Sequence, residues 1–326
     1  MQPTKSNLSN LLGERMSQHN ALGNALVALG NDFPELFVLS PDVGSSTKAI
    51  RFKDHYPERY LCSGIAEMNT AGLAAGLAYI GYIPLIAGYA MFIAGKAWEP
   101  FRNSIAYPNL NVKLIGTHAG INVGPDGVTH QAIEDLALMR SIPNVHILVP
   151  ADAAQVLPAL KRALTIEGPV YIRLERDPLP TLQINQEYEI FKDFYEVIPG
   201  GEIKLLAIGG MVGPCVETAL MVNRSQNTSI GVIAVTCLKP FKFHTLKRLL
   251  LGTKGLVTAE DHTILGGLGG CLAEALAQEY PLPIEIIGVK DTFAASDSCA
   301  NLKECFGLST EHIHQAIQRI LSRAVK

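Results

Sequence analysis

Between Glu67 and Lys96 the chain carries no Asp, Glu, Lys or Arg, and this uncharged run constrains the fold more than any other feature. It exceeds the roughly 20 apolar residues that cross a bilayer. Its punctuation argues against a membrane span, because Gly72, Gly76, Gly81, Pro84, Gly88 and Gly95 interrupt it. The pattern predicts instead a small-residue helix over 71–80, a turn at Gly81 and Tyr82, and a buried strand over 83–87. Glu67 stands at the mouth of this run, in Ser63-Gly64-Ile65-Ala66-Glu67-Met68-Asn69. A carboxylate held where water is scarce can share a proton with a basic ring nitrogen instead of remaining a solvated anion, which marks Glu67 as a functional candidate.

A length of 326 residues suggests about two domains. A hydrophobic content of 48% with 17% charged residues describes a globular protein with much buried or interfacial surface. The net charge of −3, with no cluster of Lys and Arg among aromatics, argues against nucleic acid as a partner. The six cysteines show no C-x-x-C spacing, and the first residues lack a basic-then-apolar leader pattern. The expectation is reduced thiols, a cytoplasmic location and no membrane association.

Buried-strand runs over 36–39, 112–116, 146–149 and 170–173 alternate with helical patterns over 21–29, 132–140 and 153–164. This alternation predicts an α/β fold with a mainly parallel sheet flanked by helices over 1–180. A polar stretch rich in Pro and Gly reads as a linker over 181–201. A second, smaller domain of the same class follows over 202–326, with strands at 203–208, 230–235, 255–258 and 284–289 and a closing amphipathic helix near 310–323. The loop from Asp42 to Ser46 leaves the first strand, where α/β proteins keep ligand groups. Neither Gly209-Gly210-Met211-Val212-Gly213 nor the stretch from Gly88 to Lys96 has the order of a nucleotide-binding loop. Gly266-Gly267-Leu268-Gly269-Gly270 reads as a place of close helix packing rather than a phosphate cradle.

The densest polar constellation runs from Gly116 to Gln131 and puts His118, Asp126 and His130 in one glycine-rich loop before a helix. Histidine there can orient a carbonyl oxygen, bind hydroxyls or shuttle protons. Metal ligation is disfavoured, because His118 and His130 lack a local metal spacing and no Cys lies nearby.

Three features together closely resemble the transketolase family: the G-I-A-E-M-N frame of Glu67, the run T-H-A-G-I-x-V-G-x-D-G-x-T-H-Q-A-I-E-D-L-A-L-M-R ending at Arg140, and Val149-Pro150-Ala151-Asp152. The resemblance continues through Gly168-Pro169-Val170-Tyr171-Ile172-Arg173, Val235-Thr236-Cys237-Leu238-Lys239-Pro240, Glu260-Asp261-His262 and Gly266-Gly267-Leu268-Gly269. It covers the pyrimidine-binding and carboxy-terminal domains of that family. No G-D-G motif for a diphosphate and its Mg²⁺ is present. The chain therefore resembles one subunit of a split transketolase, whose amino-terminal partner subunit would carry the diphosphate-binding domain in an α2β2 assembly. The resemblance implies thiamine diphosphate and Mg²⁺ as cofactors, the metal and diphosphate held mainly by the partner, and transfer of a two-carbon ketol unit from a ketose to an aldose.

The same resemblance implies residue roles. Glu67 would contact the ring nitrogen of the cofactor's aminopyrimidine, set its tautomer and so let the cofactor's own amino nitrogen take the thiazolium proton. Tyr89, Phe92, Ile65 and Asp42 would complete the cofactor site, with Gly95 where a third aromatic usually stands. His118 and His130 would act at the reacting oxygens, and Asp126 on a hydroxyl. Ser46 and Arg173 would hold substrate phosphate, with Arg176 as an alternative to Arg173. His19, or Arg15 a turn earlier, falls where a further phosphate-binding Arg is common, so an unusual sugar is expected. Deoxyxylulose-phosphate synthases usually carry Arg-Ala where Thr117 and His118 stand, and 2-oxo acid dehydrogenase beta subunits lack the D-G-x-T-H-Q frame. A non-catalytic, partner-binding paralogue is the reading from a different class. His262 is expected to be structural.

Overall fold

The computed structural model describes residues 11–184, 191–225 and 228–324. Seven strands form the first sheet in the spatial order Cys237–Lys239, His146–Leu148, Val170–Arg173, Lys113–Thr117, Ile83–Tyr89, Leu36–Ser40 and Tyr60–Cys62. All neighbours are parallel except the first pair. Every residue of Val170–Arg173 is buried, as expected of a central parallel strand covered on both faces. One cover is the helix Val156–Thr165, whose buried Val156, Ala159, Leu160, Ala163 and Leu164 recur at helical spacing. Each fully buried leucine or valine there contributes about 1.5–3 kcal/mol.

The uncharged run folds as the sequence predicts, with the helix Glu67–Tyr79 packed on the strand Ile83–Tyr89. Ala71, Ala74 and Ala75 are buried on the sheet side, where small side chains allow close approach. The opposite face exposes Met68, Leu73, Tyr79 and Ile80. A side chain added at Gly72 or Gly76 on this helix would meet nothing within 4 Å. Beyond the strand come two wider, π-type turns, Met91–Lys96 and Phe101–Ala106, which side-chain periodicity does not disclose. Among the described residues no helix is long and apolar enough to cross a membrane.

The second sheet has five strands, ordered Ile284–Val289, Gly255–Thr263, Ile203–Ala207, Ile230–Val235 and Phe194–Ile198. The first four are parallel, and Phe194–Ile198 adds an antiparallel edge. That edge strand lies inside the stretch expected to be a linker, of which 185–190 fall outside the described residues. Its alternation is hidden in a polar setting, but Phe194, Tyr195, Val197 and Ile198 are buried. Leu179–Leu182 is also a strand, paired with Leu12–Met16. Finally, Cys237–Lys239 leaves the second domain's sequence to pair with His146–Leu148 of the first sheet.

Candidate functional site

Six parallel strands end on one edge of the first sheet, and their carboxyl-terminal loops bring the candidate residues together, as is general for open α/β sheets. Ser63 ties two of these loops: its N–H and hydroxyl both donate to Ser40 O, at 3.1 and 3.3 Å. Its hydroxyl also lies 2.6 Å from Thr70 Oγ1. Glu67 follows as the first residue of its helix and is only 6% exposed. One cation meets it: Lys96 Nζ donates to Glu67 Oε2 at 3.4 Å. Ile65 stands beside it, 76% exposed.

Aromatic rings line the adjoining wall. His19 stacks on His118 with centroids 4.5 Å apart, His118 on Tyr89 at 3.9 Å, and Tyr89 on Phe92 at 6.1 Å. His130 meets Phe92 edge-on at 5.1 Å and Tyr89 at 6.2 Å. The helix Gln18–Leu29 is pinned by Gln18, which donates to Pro150 O at 3.0 Å and accepts from Glu175 N at 2.8 Å, and this sets the His19 ring on His118. Burial pulls His118 down to about 3, helped by the nearby His19 and Arg176. Burial likewise brings His19 down to about 4, against a raising bond to the Glu175 backbone. Both rings are therefore neutral near pH 7, and each can donate at one nitrogen while accepting at the other. Arg15 is exposed on the strand Leu12–Met16.

The glycine-rich loop owes its shape to the second domain. Gly120, Gly124 and Gly127 have φ of +73°, +68° and +78°. A side chain on Gly120 would run into Asp261 and one on Gly124 would crowd Cys299, while at Gly127 only the positive φ stands in the way. Asp261 accepts from Ile121 N at 2.9 Å and Asn122 N at 3.2 Å, and Gln131 Nε2 donates to Ala295 O at 2.9 Å. Asp126 is thereby presented at the surface, where it pairs with Arg176 at 3.2 Å. Asp42 and Ser46 are exposed on the loop after Leu36–Ser40, with Cys62 Sγ 3.8 Å from Asp42 Oδ1.

Arg173, expected at substrate phosphate, is buried. It is 1% exposed, and its Nε donates to Asp135 at 2.9 and 3.2 Å, while Nη2 donates to Asp261 O at 2.7 Å. Nη1 is buried without a partner among the described residues. The guanidinium thus joins the two domains, and Arg176, 35% exposed, faces the loop of Asp126. The same seam holds Glu175, which accepts from Asn122 Nδ2 at 2.6 Å and from Gly210 N. Glu260 accepts from Leu268 N and Gly269 N at 2.7 and 2.8 Å, so the 266–270 glycines enclose the protein's own carboxylate. Burial raises Glu260 to about 7 and also raises Asp261. His262 takes the expected structural place, with Nδ1 2.7 Å from Thr263 O and Nε2 accepting from Ala137 N at 3.3 Å. Burial lowers it to about 4.

Sequence reasoning missed Lys96, Gln18, Asp135 and Glu175. A signal existed for Lys96, since it and Glu67 are the two charges that bound the uncharged run. Among the described residues no group of three His, Cys, Asp or Glu could hold a metal ion.

Comparison with known proteins gives this geometry its context. Residues 14–181 match the family described as transketolase, pyrimidine binding domain, and residues 196–313 match transketolase, C-terminal domain. A transketolase C-terminal section from Methanocaldococcus jannaschii is 35% identical over 96% of this chain and 99% of its own length. The 6-deoxy-6-sulfo-D-fructose transketolase subunit SqwH of Clostridium sp. is 35% identical over 88% of this chain and 89% of its own. A solved split-gene transketolase, described as an inactive beta4 tetramer, superposes with a TM-score of 0.86 at 41% identity, covering 94% of this chain and 99% of that one. Built from a pyrimidine-binding and a carboxy-terminal domain, the chain belongs to the transketolase family, in its split-gene form.

Proposed function

We propose that this chain is the carboxy-terminal subunit of a thiamine diphosphate-dependent transketolase. With an amino-terminal partner, in an α2β2 assembly, it transfers a two-carbon ketol unit from a ketose to an aldose. The observation that carries this reading is the buried Glu67 carboxylate beside the Phe92, Tyr89, His118 and His130 rings at the carboxyl edge of the sheet. These residues fit an aminopyrimidine: a carboxylate for its ring nitrogen and half-buried aromatic rings for its faces. When bound, thiamine diphosphate supplies the carbanion-stabilising chemistry, and the protein supplies orientation and electrostatics. Mg²⁺ and the diphosphate fall to the partner.

Glu67 holds or gives up a proton at the pyrimidine ring nitrogen, while Tyr89, Phe92, Ile65 and Asp42 orient the ring. His130 and His118 exchange protons with the substrate's carbonyl and hydroxyl oxygens, a task the neutral His118 can perform in either direction. Asp126 accepts from a hydroxyl, and Ser46, His19 and Arg176 face the substrate's far end. Arg176 replaces the buried Arg173 in that role. The face of Met68, Gly72, Leu73, Gly76 and Tyr79, apolar and uncovered, supports an obligate subunit interface. Relatives described as a transketolase subunit and as an inactive beta4 tetramer support dependence on a partner. The test is ketol transfer by the chain co-assembled with its partner, thiamine diphosphate and Mg²⁺; transfer by the chain alone would overturn the split-enzyme reading.

A further inference from the structure

The two charges that bound the uncharged run are far apart in sequence, yet the fold brings them together: Lys96 Nζ lies 3.4 Å from Glu67 Oε2. The same ammonium sits 4.9 Å from the centroid of Phe92. Lys96 is 54% exposed, and Gly95 beside it has open space around it, so the side chain can leave without disturbing the core. Glu67 cannot move as freely, being 6% exposed at the start of a helix packed on the sheet. A buried carboxylate without a counter-charge is costly. Lys96 supplies that charge, and its ammonium lies near both the carboxylate and the Phe92 ring.

We propose that Lys96 is a latch on the cofactor site: it pairs with Glu67 in the empty site and is displaced when an aminopyrimidine ring takes its place between Glu67 and Phe92. This rests on the cofactor reading given above. Lys96 is then a positioning residue, which holds the Glu67 carboxylate in place before loading and weakens cofactor binding by the strength of the pair it must release. Pairs with one exposed partner are weak, so the effect on affinity is about two- to five-fold.

The experiment measures the thiamine diphosphate dissociation constant by equilibrium dialysis, with Mg²⁺, on the complex with the partner subunit. Lys96→Met is expected to bind about two- to five-fold more tightly than the unaltered complex, and Lys96→Arg to bind like it. In a Glu67→Gln background Lys96→Met is expected to change nothing, which a merely structural lysine would not show. Equal or weaker binding by Lys96→Met, or the same gain without the Glu67 carboxylate, would overturn the latch alone. Failure of the complex to bind the cofactor, or ketol transfer indifferent to Glu67→Gln, would overturn the cofactor reading and the latch with it.

Discussion

The cleft of the first domain and the seam between the domains are built from the same residue types, yet they do opposite things. In the seam, Arg173, Asp135, Glu175, Asp261, Glu260 and His262 commit most of their polar atoms to neighbours in the same chain, Arg173 Nη1 excepted. In the cleft, Glu67 meets one exposed lysine, and His118 and His130 each meet a neighbouring threonine hydroxyl at one nitrogen and other rings on their faces or edges. The difference teaches that residue type does not identify a reactive group here. What does is whether the fold has already satisfied it.

The largest expected effect lies in the cleft. Glu67→Gln in the assembled complex should lower kcat for ketol transfer by about 10²–10⁴-fold, as removal of an acid–base group does. Urea unfolding of the same variant should change by less than about 1 kcal/mol. Wild-type turnover from this variant would remove the distinction between the regions.

Arg173→Met should reverse that pattern, with a loss of about 3–5 kcal/mol in urea unfolding, because it leaves the buried Asp135 without its counter-charge. Its folded fraction should keep an unaltered KM. Arg176→Met should raise KM for an anionic sugar and leave stability within about 1 kcal/mol. Exchange of these two outcomes would return Arg173 to the substrate.

The seam should also set the response to acid. His262 is neutral in the folded protein down to about pH 4, whereas an unfolded histidine takes up its proton near 6.5. Stability from this group is thus lost as pH falls from 6.5 to 4, by about 3 kcal/mol. Glu260 acts in the opposite sense: raised to about 7, it favours the folded state below its unfolded value and loses that contribution as pH rises toward 7. Urea unfolding of His262→Gln between pH 6.5 and 4 should show a flatter acid limb, and an unchanged slope would remove His262 from the account.

The smallest effect on stability should come from the uncovered helix face. Met68→Asp should change the isolated chain's unfolding by no more than about 0.5 kcal/mol, since the side chain is 58% exposed. Sedimentation of the variant mixed with its partner should show lost assembly. A complex of normal size would exclude this face from the interface.

How much was legible in the sequence follows from what each feature depends on. Strands at Val170–Arg173, Ile230–Val235 and Ile284–Val289 have the expected bounds because each is a mainly apolar, β-branched run between turn residues. Cys237–Lys239 is three residues long and defined by a partner far away in sequence, so no local pattern announces it. The cleft residues were legible through motif resemblance, and the fold brings Glu67, Tyr89, Phe92, His118, His130 and His19 to one edge. The burial of Arg173 was not legible, because its environment is made by Asp135 and Asp261, remote in sequence. The glycines at 120, 124 and 127 suggested close approach to a ligand, and their neighbours are instead groups of the second domain.

The borrowed strand Cys237–Lys239 has a consequence for the order in which this protein can be made. The first sheet is not finished when the first domain leaves the ribosome: its edge at His146–Leu148 stays open until residue 239 has been synthesised. An open parallel edge is a template for pairing between nascent chains. A truncated product ending near 201 would keep that edge for good, so cutting between the apparent domains would yield an aggregation-prone half rather than a free-standing one.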